Sequence, residues 1–243
     1  TEILFALDVG DEVVATSSYS LYPKEARKLP VVGGNQNPSL EKTLALAPTL
    51  VVGQSYNQNT LNTLNKFHVN TLNVSLKTLK NIQDSITKLA KKLGKETNAK
   101  ALNAKITNAI TNAPKAKTPH SVMIVYGLRE DLRSATYIAG RDVFFDDIIR
   151  ECGNANAYSS DATAQPVLSY ENVIALNPDQ IIILHSHATE ANVDVKKALK
   201  NWHSLPTNAA RNKKISIVDE DYLHIPSHRV ALTIERLCKE MNE

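Results

Sequence analysis

The chain has 243 residues, 42% of them apolar and 22% charged, and its 28 basic and 25 acidic side chains leave a net charge of +3. That length suits one large domain or two small ones with real cores, and the charge is too balanced to imply nucleic acid or an anionic membrane as partner. The longest apolar runs, such as residues 181–184, are strand-length, well short of the roughly 20 residues that span a bilayer.

Residues 1–7 read as a helix start with Thr1 as N-cap. So abrupt a beginning predicts that upstream sequence, including any signal peptide, is absent from the chain. A strand follows at 12–16, a polar turn region at 17–23, and an extended segment at 29–34 that ends in Gly33-Gly34. Pro38-Ser39-Leu40-Glu41 opens a helix, with a serine at its start and a carboxylate in its first turn, where the macrodipole favours negative charge. A buried strand at 49–53, a short helix at 60–67 and a strand at 69–74 come next. Alternating helix and strand imply a parallel α/β sheet.

The stretch 79–113 differs. Leu79, Ile82, Ile86, Leu89 and Leu93 recur at steps of three and four, and Leu102, Ile106 and Ile110 continue a weaker stripe beyond Gly94. This predicts a helix or kinked pair of about 35 residues, roughly 50 Å long at 1.5 Å per residue. A Pro/Lys/Thr-rich link at 113–120 leads to a strand at 121–126.

The second half repeats the first. Ser39-Leu40-Glu41, Ala45-Leu46, Pro48 and a buried strand recur as Ser169-Tyr170-Glu171, Ala175-Leu176, Pro178 and a buried strand, at a constant offset of 130 residues. Each copy is a short helix with a surface Glu in its first turn, a proline that stops it, and a strand. The expected architecture is α/β: two Rossmann-like α/β lobes joined by one long rigid helix. The N-terminal lobe takes residues 1–77, the bridging helix 78–117 and the C-terminal lobe 118–243.

Catalytic patterns are absent: no P-loop, GxGxxG, GxSxG or HExxH occurs. Asp146-Asp147 reads as a solvated helix face, since adjacent helical residues diverge by about 100°. His185 and His187 follow a buried strand at its carboxyl end, where open parallel sheets bind ligands, and alternate residues of an extended segment face one way. Residues 219–229 hold Asp221, Tyr222, His224 and Arg229 after another strand, groups able to meet a metal, a planar ring or a carboxylate. Cys152 and Cys238 match neither zinc nor redox spacing. They are either two buried thiols or one long-range disulfide, and the disulfide requires an oxidising compartment.

Residues 17–23, 30–34, 39–52, Ala139-Gly140-Arg141, Cys152-Gly153 and 202–219 together resemble the periplasmic binding proteins for cobalamin, haem and ferric siderophores that serve ABC importers. The resemblance covers essentially the whole chain. It implies a monomeric, non-enzymatic receptor in the periplasm or on the cell surface, with its ligand in the cleft between lobes and no cofactor of its own. Family members begin with a further strand, so the N-terminal lobe is expected to lack its first strand. Glu41 and Glu171 match the family's docking glutamates, which meet arginines of a permease dimer. Cobalamin-binding members look nearest, and by that match Cys152 and Cys238 form a disulfide while Tyr19, Tyr137 and Asp221 contact ligand. Those members frame the corrin ring with tryptophans. Here Asn35 stands where one would fall, and no tryptophan lies near Val167. The loops offer instead Tyr56, Arg129, Arg141, His185, His187, Tyr222, His224 and Arg229, a set that also suits an anionic ferric siderophore. Haem with an axial contact from His224 or Tyr222 fits as well. A corrinoid is the first expectation and a ferric siderophore or haem the alternative. A receptor for bare zinc or manganese follows at a distance, because its site needs three or four His, Asp or Glu ligands.

Overall fold

A computed structural model of the protein describes residues 1–160, 163–185 and 193–243. The chain divides into two compact units, Thr1–Thr107 and Asn108–Glu243.

In the first unit, α1 (Glu2–Ala6) forms as expected, but the Thr1 hydroxyl does not cap it; it lies 2.8 Å from the Ser20 hydroxyl instead. The strand expected at 12–16 reduces to a single parallel bridge between Thr16 and Val31. Val14 is 50% exposed, so this β-branched run has no core to bury in. α2 (Leu40–Ala45) starts where Ser39 Oγ accepts the Lys42 N–H. β1 (Leu50–Gln54) pairs in parallel with β2 (Asn70–Val74), and α3 (Gln58–Lys66) packs on both through Leu61 and Leu64. β1 is half-buried along its length rather than buried, because this sheet has only two strands.

The single long helix expected at 78–117 is two helices. α4 (Leu79–Leu93) begins on Thr78, whose side chain accepts the Asn81 N–H, and ends at Gly94. Gly94 has φ 68°, a left-handed conformation that glycine adopts without the Cβ penalty and that closes helices. α5 (Glu96–Asn112) then runs back along α4. Asn103 Nδ2 donates to the Gln83 carbonyl (3.1 Å) and to Thr87 Oγ1 (3.0 Å), and Gln83 Nε2 donates to Thr107 Oγ1 (3.1 Å). The two apolar stripes, Leu79, Ile82, Ile86 and Leu89 on α4 and Leu102 and Ile106 on α5, are all buried. Periodicity reads straight through Gly94, so it cannot distinguish a 35-residue rod from a hairpin. The division between the units falls within α5.

The second unit is built on β3 (Ser121–Tyr126), β4 (Thr136–Ile138), β5 (Ala155–Asn156), β6 (Val167–Leu168), β7 (Gln180–Leu184) and β8 (Ile215–Val218). The order is β6-β4-β3-β7-β8, with β5 also on β3. β3, β5, β7 and β8 are parallel, and β4 and β6 form an antiparallel margin. Met123, Val125, Ile181 and Ile183 enter a core with Val173, Ala198, Trp202, Leu205 and Ala209. Those residues come from α7 (Tyr170–Leu176), α8 (Val195–His203), α9 (Asn208–Arg211) and the turn between α8 and α9. The alternate residues Val122, Ile124, Ile182 and Leu184 are equally buried. Cover on both faces explains why β3 and β7 read as unbroken apolar runs.

α6 (Phe144–Glu151) packs against α10 (Val230–Asn242). Cys152, the C-cap of α6, is disulfide-bonded to Cys238 in α10, as the family resemblance implies. The link after α5 is tied to the same corner: Ala116 N–H donates to the Cys152 carbonyl (2.8 Å) and Asn242 Nδ2 to that of Pro114 (2.9 Å). Asp146 departs from the expected solvated face. It is 1% exposed, lies 3.4 Å from Arg141 Nε, and accepts from Asn156 Nδ2 at 3.1 Å. A buried carboxylate needs such partners; a third, Arg150 at 3.5 Å, is the only one of the three from its own helix.

The repeated motif is equally alike in three dimensions. Ser39 and Ser169 both cap their helices, and Glu41 and Glu171 are both exposed in the first turn.

Candidate functional site

Three loops of the first unit converge beyond the carboxyl ends of its extended segments. The Ser18 N–H donates to the Gly33 carbonyl at 2.9 Å, joining residues 17–22 to 33–37. Gly33 has φ 132°, and a Cβ there would stand 2.6 Å from the Asn37 carbonyl, so the turn requires glycine. Asn57 Nδ2 donates to the Asn35 carbonyl at 2.7 Å, joining 33–37 to 54–57. Arg27 Nε holds the Leu21 carbonyl at 2.7 Å. On this frame Tyr19 and Tyr56 are 66% and 54% exposed, although large aromatic rings ordinarily bury most of their surface. Gln54 Nε2 donates to the Tyr56 hydroxyl at 2.9 Å. Burial pushes the Tyr56 phenol up and the Gln54 hydrogen bond partly offsets it.

In the second unit the ends of β3, β7 and β8 step past one another, Gly127 N–H donating to Leu184 and His185 N–H to Val218. Tyr137 on β4 lies opposite Tyr126 on β3 and is 38% exposed. The Arg129 guanidinium stands 5.7 Å from the Tyr137 ring centroid, within cation–π range. Glu130 lashes this loop to α8: its carboxylate meets Lys197 Nζ at 2.8 Å and accepts the Asp194 N–H at 2.9 Å, while its carbonyl accepts from Asn201 Nδ2 at 2.7 Å. Those bonds, Lys197 first, hold the Glu130 carboxyl below the usual range and raise the Lys197 ammonium. Tyr126 is pushed far up by burial; its ring is 5.5 Å edge-on from Phe145 and 6.3 Å from His224.

A second cluster follows β8. Arg229 is 8% exposed and pairs with Asp221 at 2.9 Å, its guanidinium 5.9 Å from the Tyr222 ring. Burial, then the nearby Glu220 carboxylate, raises the Tyr222 phenol. The Glu220–Arg236–Glu240 ladder, at 3.0 and 2.6 Å, anchors the turn to α10.

The residues singled out in the sequence therefore fall into groups. Tyr19, Asn35 and Tyr56 share the first unit's loop cluster. Arg129 and Tyr137 form one pair in the second unit, and Asp221, Tyr222 and Arg229 form another cluster, near His224 in sequence. Arg141 is turned to the buried Asp146. His185 is buried at the end of β7, and His187 lies outside the described residues. Gln54, Asn57, Tyr126 and Glu130 were not singled out. Gln54 and Tyr126 are the last residues of β1 and β3, the same strand-end signal that pointed to His185. Among the described residues no three His, Cys, Asp or Glu side chains gather as a metal-binding group, and no helix is long and apolar enough to cross a membrane.

Two α/β units whose strand ends carry exposed aromatic and charged side chains have the form of a ligand-binding protein. Residues 1–222 match the periplasmic binding protein family, and the chain belongs to it. That family consists of binding proteins rather than enzymes. The chain is 28% identical to the vitamin B12-binding protein of Vibrio vulnificus, across 98% of this chain and 85% of that one. Among solved structures it is similar to the periplasmic haem-binding protein RhuT of Roseiflexus (26% identity, TM-score 0.79, 99% and 93% of the two chains). It is also similar to the periplasmic vitamin B12-binding protein BtuF of Vibrio cholerae (24%, TM-score 0.79, 99% and 92%).

Proposed function

We propose that this protein is the extracytoplasmic receptor of an ABC importer and carries a metal chelate, first of all a corrinoid. The observation that carries the reading is the exposure of Tyr19 and Tyr56 on hydrogen-bonded loops of the first unit and of Tyr137 on β4 of the second, opposite the last residue of β3. Preset aromatic faces with few mobile side chains suit a large, flat, rigid ligand. Full-length similarity to vitamin B12-binding proteins supports the corrinoid. Contacts are assigned to Tyr19, Asn35 and Tyr56 in the first unit and to Arg129, Tyr137, Asp221, Tyr222, His224 and Arg229 in the second. Glu41 and Glu171 are assigned to docking on the permease.

A specific observation favours a second reading. Arg129 and Arg229 place guanidinium groups beside aromatic rings in the second unit, with His224 near Tyr126. An anionic chelate, haem or a ferric siderophore, would use such groups. Titrating the purified protein with cyanocobalamin, haemin and a ferric siderophore, followed by absorbance and tryptophan fluorescence, tests both. Cyanocobalamin is expected to bind below micromolar and more tightly than the others. Tighter haemin or siderophore binding selects the second reading, and binding of none overturns both.

A further inference from the structure

The strand-end loops of the two units differ in electrical character. Residues 17–22, 33–37 and 54–57 contain no charged side chain; they are built of Ser, Tyr, Asn, Gln, Gly and Leu. The corresponding stretches of the second unit, 127–134 and 219–229, hold Arg129, Glu130, Asp131, Arg133, Asp219, Glu220, Asp221 and Arg229. Within the first unit the polar groups are tied to one another. The Gln54 N–H donates to Asn57 Oδ1 (3.3 Å), Asn57 Nδ2 to the Asn35 carbonyl (2.7 Å), and Gln54 Nε2 to the Tyr56 hydroxyl (2.9 Å).

The last of these bonds has a direction. A phenol carries one proton to give and lone pairs to accept with. Because the Tyr56 oxygen accepts from the Gln54 amide, its own proton is left to point elsewhere, and the side chain is 54% exposed. The group it can serve is an acceptor oxygen. These loops carry no charged side chain of their own, and the Arg27 guanidinium beside them is engaged with the Leu21 carbonyl, so a neutral carbonyl is better matched than a carboxylate.

We infer that Gln54 presets the Tyr56 hydroxyl as an outward hydrogen-bond donor, and that Tyr56, with Asn57 bracing the loop, is a specificity-determining contact for a neutral carbonyl, such as a carboxamide, on the rim of the chelate. This rests on the chelate-receptor reading above. Tyr56 is the contacting residue, and Gln54 acts through it.

Cyanocobalamin, whose rim carries carboxamides, is the probe. Tyr56→Phe removes the donor. Gln54→Glu reverses the bond, because a carboxylate can only accept and draws the Tyr56 proton inward. Each is expected to weaken cyanocobalamin binding about tenfold, the equivalent of one net hydrogen bond. Gln54→Met, which leaves Tyr56 able to donate but unguided, should weaken it less than Gln54→Glu does. The urea midpoints of Tyr56→Phe and Gln54→Glu should match the parent, which separates a lost contact from a damaged fold, whereas Gln54→Met also loses the bond that the Gln54 side chain accepts from the Asn57 N–H and should lower the midpoint slightly. Parent-like binding by Tyr56→Phe, or by Gln54→Glu, overturns the inference and leaves the receptor reading standing. Failure of the parent protein to bind cyanocobalamin overturns both the corrinoid reading and this one.

Discussion

Ala47 and Asn177 share a left-handed backbone conformation, with φ of 43° and 44°, and each stands immediately before a proline. Asn177 caps α7, Ala47 follows the Leu46 cap of α2, and each turns the chain towards a strand. Asparagine tolerates this conformation, whereas for alanine the Cβ costs roughly 1–2 kcal/mol. The two copies thus keep one geometry with unequal chemistry. Asn177 has a further role, because its Oδ1 accepts the Asn208 N–H at 2.8 Å and so starts α9.

The first prediction follows from that inequality. Ala47→Asn should stabilise the first unit by about 0.5–1 kcal/mol, by relieving strain without adding chain freedom. Asn177→Ala should cost about 1–2 kcal/mol, since it adds strain and also removes the Asn208 bond. Urea unfolding of the two variants checks the signs, and a stabilising Asn177→Ala would contradict the account.

Much of this architecture is legible in sequence wherever a local pattern suffices. β3 falls at the expected residues because burial on both faces leaves an unbroken apolar run. The repeat is legible because Ser caps, first-turn Glu and helix-ending Pro act within a few residues of one another. The α4–α5 hairpin is not, because its register rests on Gln83, Thr87, Asn103 and Thr107 meeting across the turn. Asp146 is misread for a similar reason: burial is decided by Arg141 and Asn156, and helix periodicity is silent about them. Of the candidate site, strand-end position pointed to the His185 and 219–229 regions, while Gln54 and Glu130 matter through partners that no spacing rule names.

Acid should expose a second long-range tie. The Asp179 carboxylate accepts the Ser121 N–H (3.0 Å), the Ser121 hydroxyl (2.8 Å) and Asn208 Nδ2 (2.8 Å), fastening the turn before β7 to β3 and α9. The Ser121 backbone bond first, then the two side chains, holds its carboxyl below the usual carboxylate range. A carboxyl depressed in the folded state stabilises above its unfolded pKa and loses that contribution as pH falls through the folded value. Asp179→Ala should therefore cost about 1–2 kcal/mol at pH 7, the lower end of three accepted bonds because the site is partly open to solvent. The gap between variant and parent should narrow below about pH 4. Unfolding midpoints measured from pH 7 to pH 3 test this, and a gap that widens with acid would refute it.

The repeat that relates Ala47 to Asn177 also places Glu41 and Glu171 alike, each exposed in the first turn of a serine-capped helix. A purely local role would be dipole complementation. Glu171 shows part of that role, since its own N–H and the Ser169 side chain hold its carboxyl below the usual range. Local capping, however, would not require the same charge at the same place in two units, whereas a permease made of two like halves would. Glu41→Lys combined with Glu171→Lys is therefore expected to abolish chelate uptake in cells that depend on this receptor. Affinity for the chelate should stay within about twofold of the parent, because neither residue belongs to the strand-end loops assigned to ligand, and the urea midpoint should barely move. Each single reversal should impair uptake less than the pair does. Normal transport by the double variant would remove the docking role and leave the two glutamates as helix-terminal charges alone.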